Sequence, residues 1–269
     1  MKYIEFSKNL EEIRMKNYNG FLIDLDGTMY KGTEKIDTAV QFVNELQARD
    51  IPYLFLTNNS TKHPRDVASH LKSMGVTCTE KDVFTTSMAT AKYIKETYGN
   101  VKVYMIGEEG LHFALEERGL QIVEENADLV VMGLDRNITY EKLAKGALEI
   151  RKGAKFIATN GDVALPTERG FLPGAGSLVS VLSVSTGVEP TFIGKPEPII
   201  VEQALEVLGT AKEETVMVGD NYKTDILAGI QAGIDSILVY TGVTTKEEMN
   251  RIERQPTHAI DSLAEWTIE

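Results

Sequence analysis

Four short stretches of the 269-residue chain carry residue types suited to chemistry rather than packing. Asp24-Leu25-Asp26-Gly27-Thr28 closes the apolar run Phe21-Leu22-Ile23, and Thr57-Asn58-Asn59-Ser60 closes Leu54-Phe55-Leu56. Gly219-Asp220-Asn221 closes Val216-Met217-Val218, with Thr224 and Asp225 just beyond, while Lys195 stands between Gly194 and Pro196. Carboxylates gathered at one place repel one another unless a cation lies among them or one keeps a proton. Oxygen-only ligands from few protein groups favour Mg²⁺. A lysine facing the same place would neutralise an anionic ligand. Each stretch also has a plain alternative, since Asp and Gly build ordinary turns and most lysines are solvated surface groups. A calcium loop of the EF-hand type fits poorly, because the glycine comes early and a strand, not a helix, precedes it.

The elements that must position these residues follow from hydrophobic periodicity. Apolar runs alternate with helical patterns from Gly20 onward, the rhythm of a parallel α/β fold. Strands are expected at GFLIDLD, PYLFLTNNS, DVFTTS, VKVYMIG, ADLVVMGLD, KFIATNGD, Pro190–Ile193, TVMVGD and SILVY. Helices are expected at TAVQFVNELQARD, from Pro64 to a stop at Gly75, through Ala91–Glu96, Leu111–Glu117, Tyr140–Arg151, PGAGSLVSVLSVSTG, Pro198–Leu208 and Asp225–Ala232. Three strand ends thus deliver polar side chains to one edge, and in an open parallel sheet that edge lines the ligand crevice. Asp24 and Asp26 share a direction only if the chain leaves strand geometry there, a freedom Gly27 provides.

Composition narrows the function. Lys and Arg number 28 against 40 Asp and Glu, a net charge of −12, which argues against a nucleic-acid binder. An anionic substrate then needs a local reversal of sign, from a metal, a lysine or backbone N–H groups. The single cysteine, Cys78, forms no internal disulfide. The opening MKYIEFSKNL carries charges where a secretory leader needs an apolar stretch, and no run reaches membrane-span length. A cytoplasmic protein without membrane or nucleic-acid partners is expected.

Taken together and in order, the four stretches resemble the haloacid dehalogenase superfamily of phosphohydrolases, and the resemblance spans the whole chain. TNNS, ATNGD, LPTERGFLPGAG, GKPEP and GDNYKTDILAGIQAG are similar to the NagD-like branch, with its 4-nitrophenyl and pyridoxal-phosphate phosphatases. The resemblance implies a Rossmann-like parallel-sheet core, residues 1–90 and 185–269, with an inserted C2-type α/β cap at 91–184. It implies a Mg²⁺-dependent phosphatase acting on a small phosphorylated metabolite such as a sugar phosphate or nucleotide. Asp24 would be the nucleophile and Asp26 the acid and base. Thr57 and Asn58 would hold phosphate, and Lys195 would neutralise it. Asp24, Asp220 and the main-chain carbonyl of Asp26 would ligate Mg²⁺, with Gly27, Thr28, Asn221 and Asp225 in support. A phosphotransferase using the same aspartyl phosphate, and a regulator that binds a phospho-ligand without turnover, are the competing readings. Assembly into a homo-oligomer is left open.

Weaker signals remain. Asn160-Gly161-Asp162 either makes a turn or reaches substrate across the two units. Pro173–Ser177 is read as a helix start rather than an anion site. Cys78 is read as a packing residue, and His63, His70, His112 and His258 have no ligand spacing.

Overall fold

The computed structural model describes residues 17–167 and 169–268, so the opening segment read above for a leader lies outside the described residues. The chain passes through β1 (Gly20–Ile23), a small ribbon β2 (Tyr30–Lys31) and β3 (Glu34–Lys35), α1 (Asp37–Ala48), β4 (Tyr53–Thr57), α2 (Pro64–Ser73), β5 (Val83–Thr85) and α3 (Thr86–Tyr98). It continues with β6 (Lys102–Ile106), α4 (Glu109–Glu117), β7 (Gln121–Ile122), β8 (Leu129–Met132), α5 (Tyr140–Arg151), β9 (Lys155–Ala158), β10 (Ala164–Thr167), β11 (Gly170–Pro173), α6 (Ala175–Thr186) and β12 (Thr191–Phe192). It returns through α7 (Pro198–Leu208), β13 (Thr215–Gly219), a π-helical turn at Tyr222–Ile226, α8 (Leu227–Ala232), β14 (Asp235–Val239), α9 (Lys246–Met249) and β15 (His258–Ile260).

Among the described residues, two parallel sheets dominate: six strands in the order β15-β14-β13-β1-β4-β5, and five in the order β12-β9-β8-β6-β7. This is the expected parallel α/β architecture with a second α/β unit inserted between β5 and β13. The order reverses at β1, whose Phe21 lies beside Val216 of β13 and Tyr53 of β4. Side chains alternate across the six-stranded sheet. Phe21, Ile23, Phe55 and Val218 enter one core with Val43 and Leu46 of α1. Leu22, Leu56 and Met217 enter the other with Ile94 of α3 and Ile200 of α7. Val103, Leu129 and Ile157 of the five-stranded sheet belong to that second core, so apolar packing runs continuously from one sheet to the other.

Helices α5 and α7 occupy the ranges read from their periodicity. Two expected unit boundaries meet a different chain path. A break at residue 91 falls inside α3, which is continuous from its N-cap Thr85, whose hydroxyl accepts the Met88 N–H. β12, expected with the returning segment, pairs with β9 in the five-stranded sheet, Thr191 beside Ile157 and Phe192 beside Ala158. Phe192 packs on the apolar cluster under that sheet, which draws the strand past residue 184. The helix expected over Asp225–Ala232 becomes α-helical only at Leu227, because the preceding turn is wound as a π-helix, a form often found at functional sites.

No described helix is long and apolar enough to cross a membrane. Phe55 is fully buried in β4, directly below the polar stretch at Thr57. Phe55→Ala is expected to cost about 3–5 kcal/mol, read as a lower urea midpoint, and an unchanged midpoint would contradict the packing described here.

Candidate active site

The carboxyl ends of β1, β4 and β13 lie side by side and carry Asp24, Thr57 and Asp220. Beyond Ile23 the chain leaves strand geometry and turns at Gly27, whose φ is +88°. A side chain there is strained, and its Cβ would collide with the Asp220 carboxylate. Glycine lets the two loops touch.

Lys195 is 2% exposed and its ammonium is fully engaged. It donates to Asp24 Oδ1 at 2.5 Å, to Asp225 Oδ1 at 2.7 Å and to the Leu56 carbonyl at 3.0 Å. Three donors meet three acceptors, from three parts of the chain. Asp225 Oδ2 also accepts the Asn221 N–H at 3.0 Å, so Asp225 both holds the lysine and caps its own turn. Lys195 precedes Pro196 through a cis peptide bond.

Asp220 is 0% exposed. Its Oδ1 accepts the Thr28 hydroxyl at 3.2 Å and its Oδ2 the Val243 N–H at 2.7 Å. Val243 belongs to a loop that sequence reasoning missed. Thr241 donates its hydroxyl to the Gly27 carbonyl at 2.7 Å, and Thr244 accepts the Tyr222 N–H at 2.8 Å. A Cβ on Gly242 would collide with Asp220. The signal was present, since Thr241-Gly242 follows the apolar run of β14 as polar residues follow the other three strands.

Asn58 and the second unit meet directly. Asn58 Nδ2 donates to both carboxylate oxygens of Asp162, at 3.3 and 3.1 Å, and to the Lys195 carbonyl at 2.9 Å. Asn160 Nδ2 donates to the Asn58 carbonyl at 2.9 Å. Asn160-Gly161-Asp162 therefore reaches across to the loop after β4, beyond a local turn. The Thr57 hydroxyl accepts the Asn59 N–H and shapes that loop. The N–H groups of Gly174 and Gly176, by contrast, are used by the Val163 and Asp162 carbonyls, so the start of α6 serves the β10–β11 hairpin. Cys78 is buried, its thiol pushed up to about 11 by burial and then by Asp82, in keeping with packing. His63 caps α2 by accepting the Arg65 N–H.

Asp24, Asp26, Thr57, Asn58, Lys195 and Asp220, among others, line a cavity of about 550 Å³. Asp26 is exposed to it. Desolvation by the surrounding protein nonetheless raises its carboxyl, against the pull of Lys62, Lys195 and His70. Desolvation, Asp225 and Asp220 hold Asp24 well above the usual range, opposed by Lys195. One carboxylate oxygen each from the buried Asp24, Asp220 and Asp225 lies within 4.8 Å of the others. Three carboxylates against one ammonium leave uncompensated negative charge, and the all-oxygen donor set fits a hard divalent cation. The Asp26 side chain is not in this trio.

A family model described as haloacid dehalogenase-like hydrolase matches residues 21–121, and a second, HAD-hydrolase-like, matches residues 192–266. The chain is 63% identical over 252 residues to the 5′-nucleotidase YutF of Bacillus subtilis, covering 94% of this chain and 98% of that protein. It is 53% identical over 250 residues to an acid sugar phosphatase of Staphylococcus haemolyticus, covering 93% and 95%. The crystal structure of a single-mutant thermostable NPPase from Geobacillus stearothermophilus superposes with a TM-score of 0.90 at 56% identity, covering 95% of this chain and all of that one.

The crowded carboxylates have a pH signature. Desolvation and then Asp225 push Asp220 up to about 6 from an ordinary 3.8. Between about pH 4 and pH 6 the folded chain thus keeps a proton that the unfolded chain has released. Stability falls as pH rises through that window and the loss is complete above it. In chelator-treated protein, the melting temperature is expected to fall more steeply across this window in wild type than in Asp220→Asn. Parallel curves would show that Asp220 ionises normally.

Proposed function

The chain belongs to the haloacid dehalogenase-like hydrolases, and from that premise we propose that it hydrolyses small phosphate monoesters with Mg²⁺ through a phosphoryl intermediate on Asp24. The observation that carries this reading is the buried Lys195 ammonium held between Asp24 and Asp225 on the floor of the cavity, beside Asp220. Relatives named as a nucleotidase and as a sugar phosphatase support the same class of substrate.

Asp24 attacks phosphorus with one carboxylate oxygen while Lys195 holds the other. The new O–P bond forms as the ester P–O bond breaks, and Asp26 gives its proton to the departing oxygen. Burial raises the Asp26 carboxyl, the direction a proton donor needs. Asp26 then takes a proton from water, whose oxygen attacks phosphorus and frees Asp24. Thr57 and Asn58, which line the same cavity, are assigned the hold on the transferring group, and the loop Thr241–Thr244 keeps Asp220 in position. Asp24, Asp220 and the Asp26 carbonyl would hold Mg²⁺, which when bound would supply the positive charge that lets a carboxylate approach a phosphate dianion. Lys195 adds a positive charge beside the nucleophile, its three donors staying on Asp24, Asp225 and the Leu56 carbonyl.

The test is phosphate release from a panel of monoesters. Asp24→Asn is expected to lose roughly a thousandfold in kcat or more, and chelation of divalent cations to abolish turnover reversibly. Persistent turnover in that variant would remove Asp24 from the reaction. Transfer of phosphate to an added sugar hydroxyl in place of water would make the enzyme a phosphotransferase.

A further inference from the structure

The two ends of Lys195 are held by different parts of the chain. Its ammonium meets Asp24 and Asp225, as described above, while its main chain faces the inserted unit. The N–H of Gly194, one residue earlier, donates to the Thr159 carbonyl just past β9, at 2.7 Å. The Lys195 carbonyl accepts the Asn58 side-chain amide at 2.9 Å. A lysine stem is long and flexible, so a fixed ammonium needs a fixed main chain beneath it.

Asn58 takes its orientation from the inserted unit. Its Nδ2 carries two protons, and these are divided between the Lys195 carbonyl and the Asp162 carboxylate, whose oxygens lie 3.3 and 3.1 Å away. Only the nitrogen of an amide can face a carbonyl and a carboxylate together, so the partners settle which way round the group stands. A carboxylate is also a stronger acceptor than a neutral carbonyl.

The contact is reinforced from both sides. Asn160 donates to the Asn58 carbonyl at 2.9 Å, and its own Oδ1 accepts the Asp162 N–H at 3.1 Å. Asn160 and Asp162 thus grip one residue at its main chain and at its side chain. Thr86, at the start of α3, donates its hydroxyl to the Thr159 carbonyl at 2.6 Å. A Cβ on Gly194 would come within 2.6 Å of Asn58 Oδ1, 2.7 Å of the Thr159 carbonyl and 2.8 Å of the Thr86 hydroxyl, so glycine permits the close approach. Asn160, Thr159 and Thr86 are buried, which keeps water from competing for these bonds.

The line of contact therefore runs from Asp162 to Asn58, on to the main chain of Lys195, and from the Lys195 ammonium to Asp24. Resting on the phosphatase reading, we propose that Asp162 is a positioning residue of the reaction: acting through the Asn58 amide, it fixes the main chain of Lys195 and with it the ammonium beside the nucleophile. The inserted unit then completes the phosphoryl-transfer floor, a task independent of the organic part of the substrate. Asp162 also lines the cavity, so direct contact with substrate is the competing role, and the two roles predict different kinetics.

The experiment measures kcat and KM with Mg²⁺ for 4-nitrophenyl phosphate, ribose 5-phosphate and adenosine 5′-monophosphate. The proteins are wild type, Asp162→Ala, Asp162→Asn, Asn58→Ala and the Asn58→Ala/Asp162→Ala double variant. Asp162→Ala is expected to lose about tenfold to a hundredfold in kcat, the cost of a slight misplacement, by the same factor on all three esters and with KM nearly unchanged. Asp162→Asn, whose side-chain oxygen still accepts the Asn58 proton, should keep most of the turnover. The double variant should be no slower than Asn58→Ala alone, because a residue that acts through another has nothing left to act on. A loss that falls on KM, or that differs among the three esters, would make Asp162 a substrate contact and overturn the proposal. So would a loss in Asp162→Asn as deep as in Asp162→Ala, or losses that multiply in the double variant. Hydrolysis of no monoester by wild type would sink the phosphatase reading instead. The clasp is then judged by the urea midpoints of the same variants: a double-variant loss smaller than the sum of the single losses supports it, and full additivity overturns it.

Discussion

A single ammonium ion decides how the rest of this molecule is arranged. Lys195 lies out of water among three buried carboxylates and bonds two of them. Removing either kind of charge alone would leave the other desolvated and uncompensated, at a cost of several kcal/mol. Each of the neighbouring loops is therefore obliged to bring a partner. Leu56 brings a carbonyl, Asp225 a carboxylate and the turn at Gly27 the close approach to Asp220.

That obligation explains why the scaffold is a parallel sheet with its reversal at β1. Parallel strands bring their carboxyl ends to one edge, and the reversal opens a crevice between outgoing loops. The fourth strand in the set, β14, contributes no catalytic candidate of its own. Its loop, Thr241–Thr244, instead bonds the Gly27 carbonyl, the Asp220 carboxylate and the Tyr222 N–H, fixing two neighbouring loops to one another.

Much of this was legible in the sequence. The strands ending at Asp24, Thr57 and Asp220 are marked by an abrupt change from apolar to polar residues, and burial on both faces leaves that pattern undiluted. Helices such as α5 and α7 carry a clean period. What escaped depends on partners distant in sequence. Thr191–Phe192 reads as a strand, but only the exposed edge of β9 decides which sheet receives it. The β10–β11 hairpin has mixed, half-exposed residues, and its place is set by contacts with Asn58 and α6. Arg136 looks like any surface arginine until Glu108, from the loop between β6 and α4, is found to hold it. The approach of Asp225 to Lys195 could be inferred from family likeness but not from spacing.

The placement of β13 has a consequence for the making of the protein. Gly20 pairs with Thr215, so on the ribosome the inner edge of β1 waits for almost the whole polypeptide to emerge before it is covered. Until then Asp24 has neither Lys195 nor Asp220 beside it, and a half-made chain carries a nucleophile without its counter-charges. Non-local pairing of this kind is slow and leaves sticky strand edges open. The order of synthesis thus keeps the nucleophile idle until its counter-charges arrive, and the inserted sheet, whose last strand is β12, is made before that edge is covered.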